Sequence, residues 1–430
     1  MLTRLTTLTR TQRTLAIVFA CALPRLVFVW AMGVPETGVY YWDLATSLLD
    51  QHAMIYRGAV TAAFEPGYPA FLAAAHIVTG GSLFGVMLVQ IAVACIGALL
   101  LDRLASEMSG RSSAGLIAAA LYAAYPYFIR QSVAWMEITL LSTLLLAAWL
   151  MWARGNILAT IVMFSFAVLT RAMVLPVAVC AVLWLLWQRR VRSAALAAVT
   201  LLVMLAPWAI RSYQLEGAWM PTRSGENLYV GNNPYAAQML PRYDLDLLPD
   251  IGEEAARRRL GVPSGAPVAP AALDRALTDE AVDYMKADPL RTALAKIWNV
   301  AYFFSPRLVP YEPNGPETTL TISPDARVHV NAPRQRPLPF ELAHAAACAL
   351  VLASGLAGFI WRRHFASNGA PQIDVLLLAS VVVFALVAIV YFPTTRMRAP
   401  VEPIFMAYAG IVLSSLRRED DAEGAQDDVV

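Results

Sequence analysis

Long apolar runs, separated by short polar joints, dominate the chain. A hydrocarbon core of about 30 Å takes roughly 20 apolar residues per helix. Ten stretches meet that length or approach it: 14–34, 83–101, 114–129, 138–153, 157–170, 173–187, 194–210, 342–361, 373–392 and 401–415. The pattern predicts an all-α polytopic membrane protein, a bundle of about 10 transmembrane helices. Stretches 157–170 and 173–187 are short enough to form a tight helical hairpin instead. The first run is interrupted by arginine and no small-residue cleavage site follows it, so it reads as a span rather than a cleaved leader.

Two joints are long. Segment 35–82 carries aromatic and amphipathic stretches suited to interfacial helices. Segment 211–341 is the one sizeable polar portion. A GVPSGAPVAP break is followed there by helical patterns from Ala272 to about Lys286 and from Pro289 to about Phe304. Eight prolines between Ser305 and Phe340 predict an extended covering loop. The expected organisation is a membrane module over 1–210, an outer segment over 211–341 and further membrane helices over 342–416. An acidic tail over 417–430 reads as disordered. The outer segment reads equally as a lid that selects an acceptor or as a passive cap.

Composition excludes several classes. The chain is 58% hydrophobic and 15% charged, against about 45–50% and about 25% for soluble domains. A net charge of +2 offers no basic surface for nucleic acid. Cys21, Cys95, Cys180 and Cys348 sit inside apolar runs without metal-ligand spacing. No HExxH, GxSxG or Walker loop occurs, which argues against a soluble nucleotide substrate. Thirteen arginines fall at one set of helix ends and five (Arg57, Arg130, Arg171, Arg396 and Arg398) at the other, which predicts that both termini are cytoplasmic.

The minority arginines are informative. Ionisable groups near membrane depth face cavities or partners, and a guanidinium fork suits phosphate. Arg130, Arg171, Arg211, Arg396 and Arg398 all lie at outer helix ends; the bland alternative for each is snorkelling. If the connector around Arg396 and Arg398 is extended between Pro393 and Pro400, the two share a face and grip one phosphate. Among carboxylates, Asp43 reads as a base or as a helix cap. Glu65 precedes a Pro-Gly-Tyr-Pro turn, and Glu137 opens a span at the level of Arg130.

Several patches occur together. They are Tyr41-Trp42-Asp43, Pro66-Gly67-Tyr68-Pro69, Gln90, and Tyr125-Pro126 leading to Glu137. They continue with Leu169-Thr170-Arg171, Pro207-Trp208 with Ile210-Arg211, Asn227-Leu228-Tyr229 with Gly231-Asn232, and Arg396, Arg398 and Pro400. In that order, over nearly the whole chain, they resemble bacterial polyprenyl-phosphate-dependent glycosyltransferases of the GT-C fold. The likeness is to the group with protein O-mannosyltransferases (glycosyltransferase family 39) and the lipid A aminoarabinose transferase. The resemblance implies an enzyme of the bacterial inner membrane with a periplasm-facing site and a polyprenyl-phosphate sugar as donor. It implies Asp43 as catalytic base and Arg171, Arg211, Arg396 and Arg398 around the donor phosphate. Glu65, Tyr68, Arg130, Glu137, Asn227 and Asn232 would contribute more weakly to substrate binding. No cofactor is required, although a weakly held divalent cation fits the pattern, and neither sugar nor acceptor is specified. The chain departs from the aminoarabinose enzymes in ending soon after its last span, with its polar segment before span eight. A transporter or flippase of polyprenyl-linked glycans is the alternative, weakened because no repeat relates two halves of the chain.

Overall fold

The computed structural model describes residues 9–33, 38–56, 58–219, 221, 223–313, 315, 317–333, 336–365 and 371–427. The first pass is α1 (Arg10–Met32). The first long joint holds α2 (Val39–Gln51) and α3 (Gly67–Val78), with a small hairpin of β1 (Ile55–Tyr56) and β2 (Ala59–Val60) between them. Six more passes follow: α4 (Leu83–Ser109), α5 (Ser112–Ala124) continued by α6 (Pro126–Gln131), α7 (Ile138–Ala153), α8 (Ile157–Thr170), α9 (Leu175–Trp187) and α10 (Val191–Glu216).

The second long joint contains α11 (Ser224–Gly231), α12 (Ala236–Met239), α13 (Pro249–Leu260), α14 (Pro270–Ala287) and α15 (Pro289–Phe303). The Pro-rich stretch after it is not uniformly extended: β3 (Thr319–Ile322) pairs antiparallel with β4 (Val328–Asn331). The alternating TLTI and VHVN patterns carry that pairing, and the prolines stand outside both strands. The chain then re-enters the bundle as α16 (Leu338–Phe365), α17 (Pro371–Val390), the short α18 (Thr395–Arg398) and α19 (Glu402–Asp427). The helix α19 takes in most of the acidic stretch after residue 416.

Each of the ten apolar stretches coincides with a helical pass. Six are long enough to cross a bilayer alone. The shorter ones rise about 20–24 Å and are packed among neighbours, with Trp149 of α7 fully buried and donating to Ser380 at 3.2 Å. The 114–129 stretch is two helices, because Pro126 cannot continue α5 and Tyr125 before it is extended at φ −71°, ψ 115°. Small residues let backbones approach where hydrophobicity gives no drive between helices. A Cβ on Gly358 would lie 2.2 Å from the Tyr408 carbonyl, and one on Gly410 2.3 Å from that of Ala114.

Polar contacts sort the helix ends into two sets. At the proximal end, where α1 begins, Arg13 pairs with Asp102, Arg154 with Glu107, and Arg362 with Asp374. The distal end gathers the starts of α2 and α7, the ends of α8, α10 and α17, and α18.

Candidate active site

The distal site is built on two glycines. Gly38 caps α2 in the left-handed region at φ 76°, and a Cβ there would lie 1.8 Å from the Trp135 carbonyl. Only glycine meets both demands, so the first turn of α2 lies against the turn that leads to Glu137. Gly67 is packed in the same way against the end of α8, its Cβ position 2.8 Å from the Leu169 carbonyl. Beside it, Glu65 accepts from the Ala172 amide at 2.8 Å and so caps the 3₁₀ turn that follows Arg171.

These supports bring five side chains together. Glu137 at the mouth of α7 is 1% exposed. Arg396 engages it with both arms of its fork, Nε to Oε1 at 3.0 Å and Nη2 to Oε2 at 3.1 Å. The same Nη2 donates to the hydroxyls of Tyr40 and Tyr41 at 3.1 and 3.3 Å. Arg171 approaches Glu137 from α8, Nε to Oε1 at 3.7 Å. Two guanidiniums thus share one carboxylate at close range, with Glu65 near Arg171 and Asp246 near Arg396 farther off. Arg396 and Arg171 remain 22% and 25% exposed.

Asp43 lies three residues after Tyr40 on α2, about 60° around the helix and one turn along. Its side chain is exposed and has no hydrogen bond or ion pair among the described residues, while its carbonyl accepts from Thr46 at 3.1 Å. It is not the cap of α2; that place belongs to Gly38. The carboxylate is therefore free to accept a proton or a hydroxyl.

The other expected residues divide. Arg398 does not join Arg396. The connector is helical rather than extended, with Thr394 accepting from the Met397 amide, so positions 396 and 398 diverge by about 200°. Arg398 is fully buried, binding Glu402 at 2.7 Å, the carbonyls of Phe303 and Ser305, and Cys348 Sγ at 3.2 Å. It locks α18 to α15 and α16, with four of its five N–H groups engaged inside the protein. Arg211 donates to the Thr61 carbonyl at 3.1 Å and lies over the Trp208 ring at 4.5 Å, with no hydrogen bond or ion pair to the Glu137 cluster among the described residues. Asn232 is likewise occupied: its amide donates to Leu228 and Val390 carbonyls and its oxygen accepts from Lys296 at 2.5 Å. Tyr68 is buried and donates to Gln90 at 2.7 Å, a packing role behind Tyr41. Arg130 is half-buried at the end of α6 and has no hydrogen bond or ion pair among the described residues. Asn227 is half-buried on α11, one turn past Arg223.

Two neighbours of the site escape sequence reasoning. Arg223 lies over the Phe64 ring at 4.9 Å, and Phe64 packs on Tyr40 at 5.6 Å, so α11 is brought to the tyrosine rim. In the sequence its pairing with Glu226 reads only as a local surface contact. Asp244 accepts from the Asp246 amide at 3.1 Å in the covering segment. Burial and the neighbouring Asp246 push its carboxyl up to about 7, against the pull of Arg396 and Arg336. A lone loop aspartate carries no signal of either effect. Among the described residues no group of three His, Cys, Asp or Glu side chains comes together as a metal cage.

The arrangement can hold an anion on two guanidiniums and two tyrosines, with an unengaged carboxylate one helical turn away. No family model matches the sequence, and no curated protein matches it. Among solved structures, the archaeal oligosaccharyltransferase AglB from Archaeoglobus fulgidus, in complex with an inhibitory peptide and a dolichol-phosphate, aligns with a TM-score of 0.50 at 12% identity. That alignment covers 98% of this chain and 52% of the other, so the chain spans about half the length of that protein. ArnT from Cupriavidus metallidurans bound to undecaprenyl phosphate aligns with a TM-score of 0.41 at 12% identity, over 93% of this chain and 78% of that one. The chain is an all-α polytopic membrane protein with the GT-C type of bundle seen in the archaeal oligosaccharyltransferase.

Proposed function

We propose that the chain is a glycosyltransferase of the bacterial inner membrane. It moves a sugar from a polyprenyl-phosphate donor to an acceptor at the distal end, which faces the periplasm while both termini are cytoplasmic. The observation that carries the reading is the pairing of Arg396 and Arg171 on the single carboxylate of Glu137, with Asp43 unengaged on the helix that supplies Tyr40 and Tyr41. The archaeal protein of similar fold holds a dolichol-phosphate, which supports a lipid phosphate as the ligand.

The donor already carries a good leaving group, so no strong acid is needed. Asp43 takes the acceptor hydroxyl proton as the oxygen attacks the anomeric carbon. The bond to the phosphate oxygen breaks on the opposite face, with inversion. Arg396 and Arg171 receive the negative charge that grows on the departing phosphate, and Glu137 holds both forks in place beforehand. Arg398, Glu65, Tyr68 and Asn232 position these groups and the covering segment. Purified protein incubated with a panel of polyprenyl-phosphate sugars should release the lipid phosphate from one of them. No release from any, with or without divalent cation, would turn the reading towards a flippase.

A further inference from the structure

Helix α15 belongs to the segment that its polar composition sets outside the membrane, yet its outward face is apolar. From Ala293 to Phe304 every exposed position is Ala, Leu, Ile, Trp, Val or Phe. Ile297 and Trp298 are 65% and 60% exposed, and Leu290 and Leu294 continue their stripe at helical spacing. The single exposed charge on the helix, Arg291, stands in its first turn. The remaining charged group, Lys296, points inward and donates to Asn232 and to the Val390 carbonyl at 2.8 Å.

Where α15 sits decides what covers that face. Asn299 donates to the Ile389 carbonyl at 3.2 Å, so Lys296 and Asn299 together cap the last carbonyls of α17. The helix therefore runs beside the distal mouth of a membrane span. Along α17 the exposed residues Val375, Leu378, Val382, Leu386 and Val390 form a lipid-facing stripe that ends at this contact. Trp298 stacks on Tyr302 at 6.0 Å, the pair of residue types that concentrates at bilayer interfaces.

We infer that α15 is an interfacial helix whose Leu290–Leu294–Ile297–Trp298 face is sunk among the acyl chains of the leaflet at the distal end. The bilayer, not a protein partner, is its occupant. Its C-terminal end is tied to α18 through Arg398 and the Phe303 carbonyl. The covering segment is thus anchored along α15.

Tryptophan emission tests this. The protein and its Trp298→Phe variant are reconstituted in phosphatidylcholine vesicles with or without bromine on the acyl chains, and the difference between the two proteins isolates Trp298. Acyl bromine should remove most of that difference emission, and aqueous acrylamide should leave it nearly unchanged. Leu294→Trp in the Trp298→Phe background moves the reporter one turn along the face and should behave alike. Quenching by acrylamide with indifference to bromine would overturn the inference. So would shielding from both quenchers, which means that a second copy of the chain covers the face.

Discussion

The two ends of the bundle use the same residue types to opposite effect. At the proximal end three cross-helix arginines each have their own carboxylate, and a fourth, Arg111, donates to the Ser415 hydroxyl at 2.7 Å. Arg13 binds Asp102, with added contacts to Ser106 and the Ser112 carbonyl, Arg154 binds Glu107, and Arg362 binds Asp374 at 2.7 Å. At the distal end Arg396 and Arg171 share one buried Glu137, and Arg130 has no described partner. A balanced end ties helices together. An end where two guanidiniums divide one close carboxylate is suited to an anion, because a guanidinium held away from water without a full counter-charge is costly.

The sharpest way to break that comparison is to remove the base proposed for the distal end. Asp43→Asn is nearly isosteric and breaks no side-chain hydrogen bond or ion pair among the described residues, so folding should be intact while turnover falls about 10²–10⁴-fold. Release of lipid phosphate measures it; retention of more than half the wild-type rate removes Asp43 from the mechanism.

Next in size are paired substitutions at the two ends. Glu137→Gln leaves two arginines facing each other and should cost about 3–5 kcal/mol of stability. Glu107→Gln, in the exposed pair with Arg154, should cost about 1 kcal/mol or less. Unfolding midpoints in detergent compare them, and a lipid phosphate should recover part of the loss in Glu137→Gln alone. Equal losses at both ends would erase the distinction.

Smaller effects separate the two neighbouring arginines. Arg396→Lys keeps the charge but loses the fork and should weaken donor binding by about 1–3 kcal/mol. Arg398→Lys should lower the unfolding midpoint and leave donor affinity within about 0.5 kcal/mol. Donor titration of both variants decides which one faces the phosphate.

The smallest effect concerns pH. Asp244 is neutral below about 7 and ionised above it. Its negative charge then partly cancels the field of Arg396, so donor affinity should fall as pH rises through 7. A change of about 2–5-fold matches a partly screened charge pair. The phosphodiester of the donor stays singly charged throughout, so Asp244→Asn should flatten the profile.

The spans were legible because each is a long apolar run, and the helical connector was not. Pro393 and Pro400 suggested extended backbone, but Thr394 caps a helical turn and Pro400 sits in the first turn of the next one, where a missing amide costs nothing. That one turn separates Arg396 from Arg398. The importance of Glu137 was understated, because a glutamate in the first turn of a helix is electrostatically ordinary until two arginines from distant segments meet it. Asn232 and Arg211 have side chains suited to ligands but are consumed by backbone carbonyls, a fate that depends on the Gly231 approach to Tyr391 and on the Thr61 loop.

The most direct test is to locate the phosphorus of a bound polyprenyl phosphate by cryo-electron microscopy of the full chain in a lipid nanodisc. The account places it against Arg396 and Arg171, beside the first turn of α2, with Asp43 facing the space next to it. A phosphate seated instead on Arg211 or Arg130, away from Glu137, would contradict it.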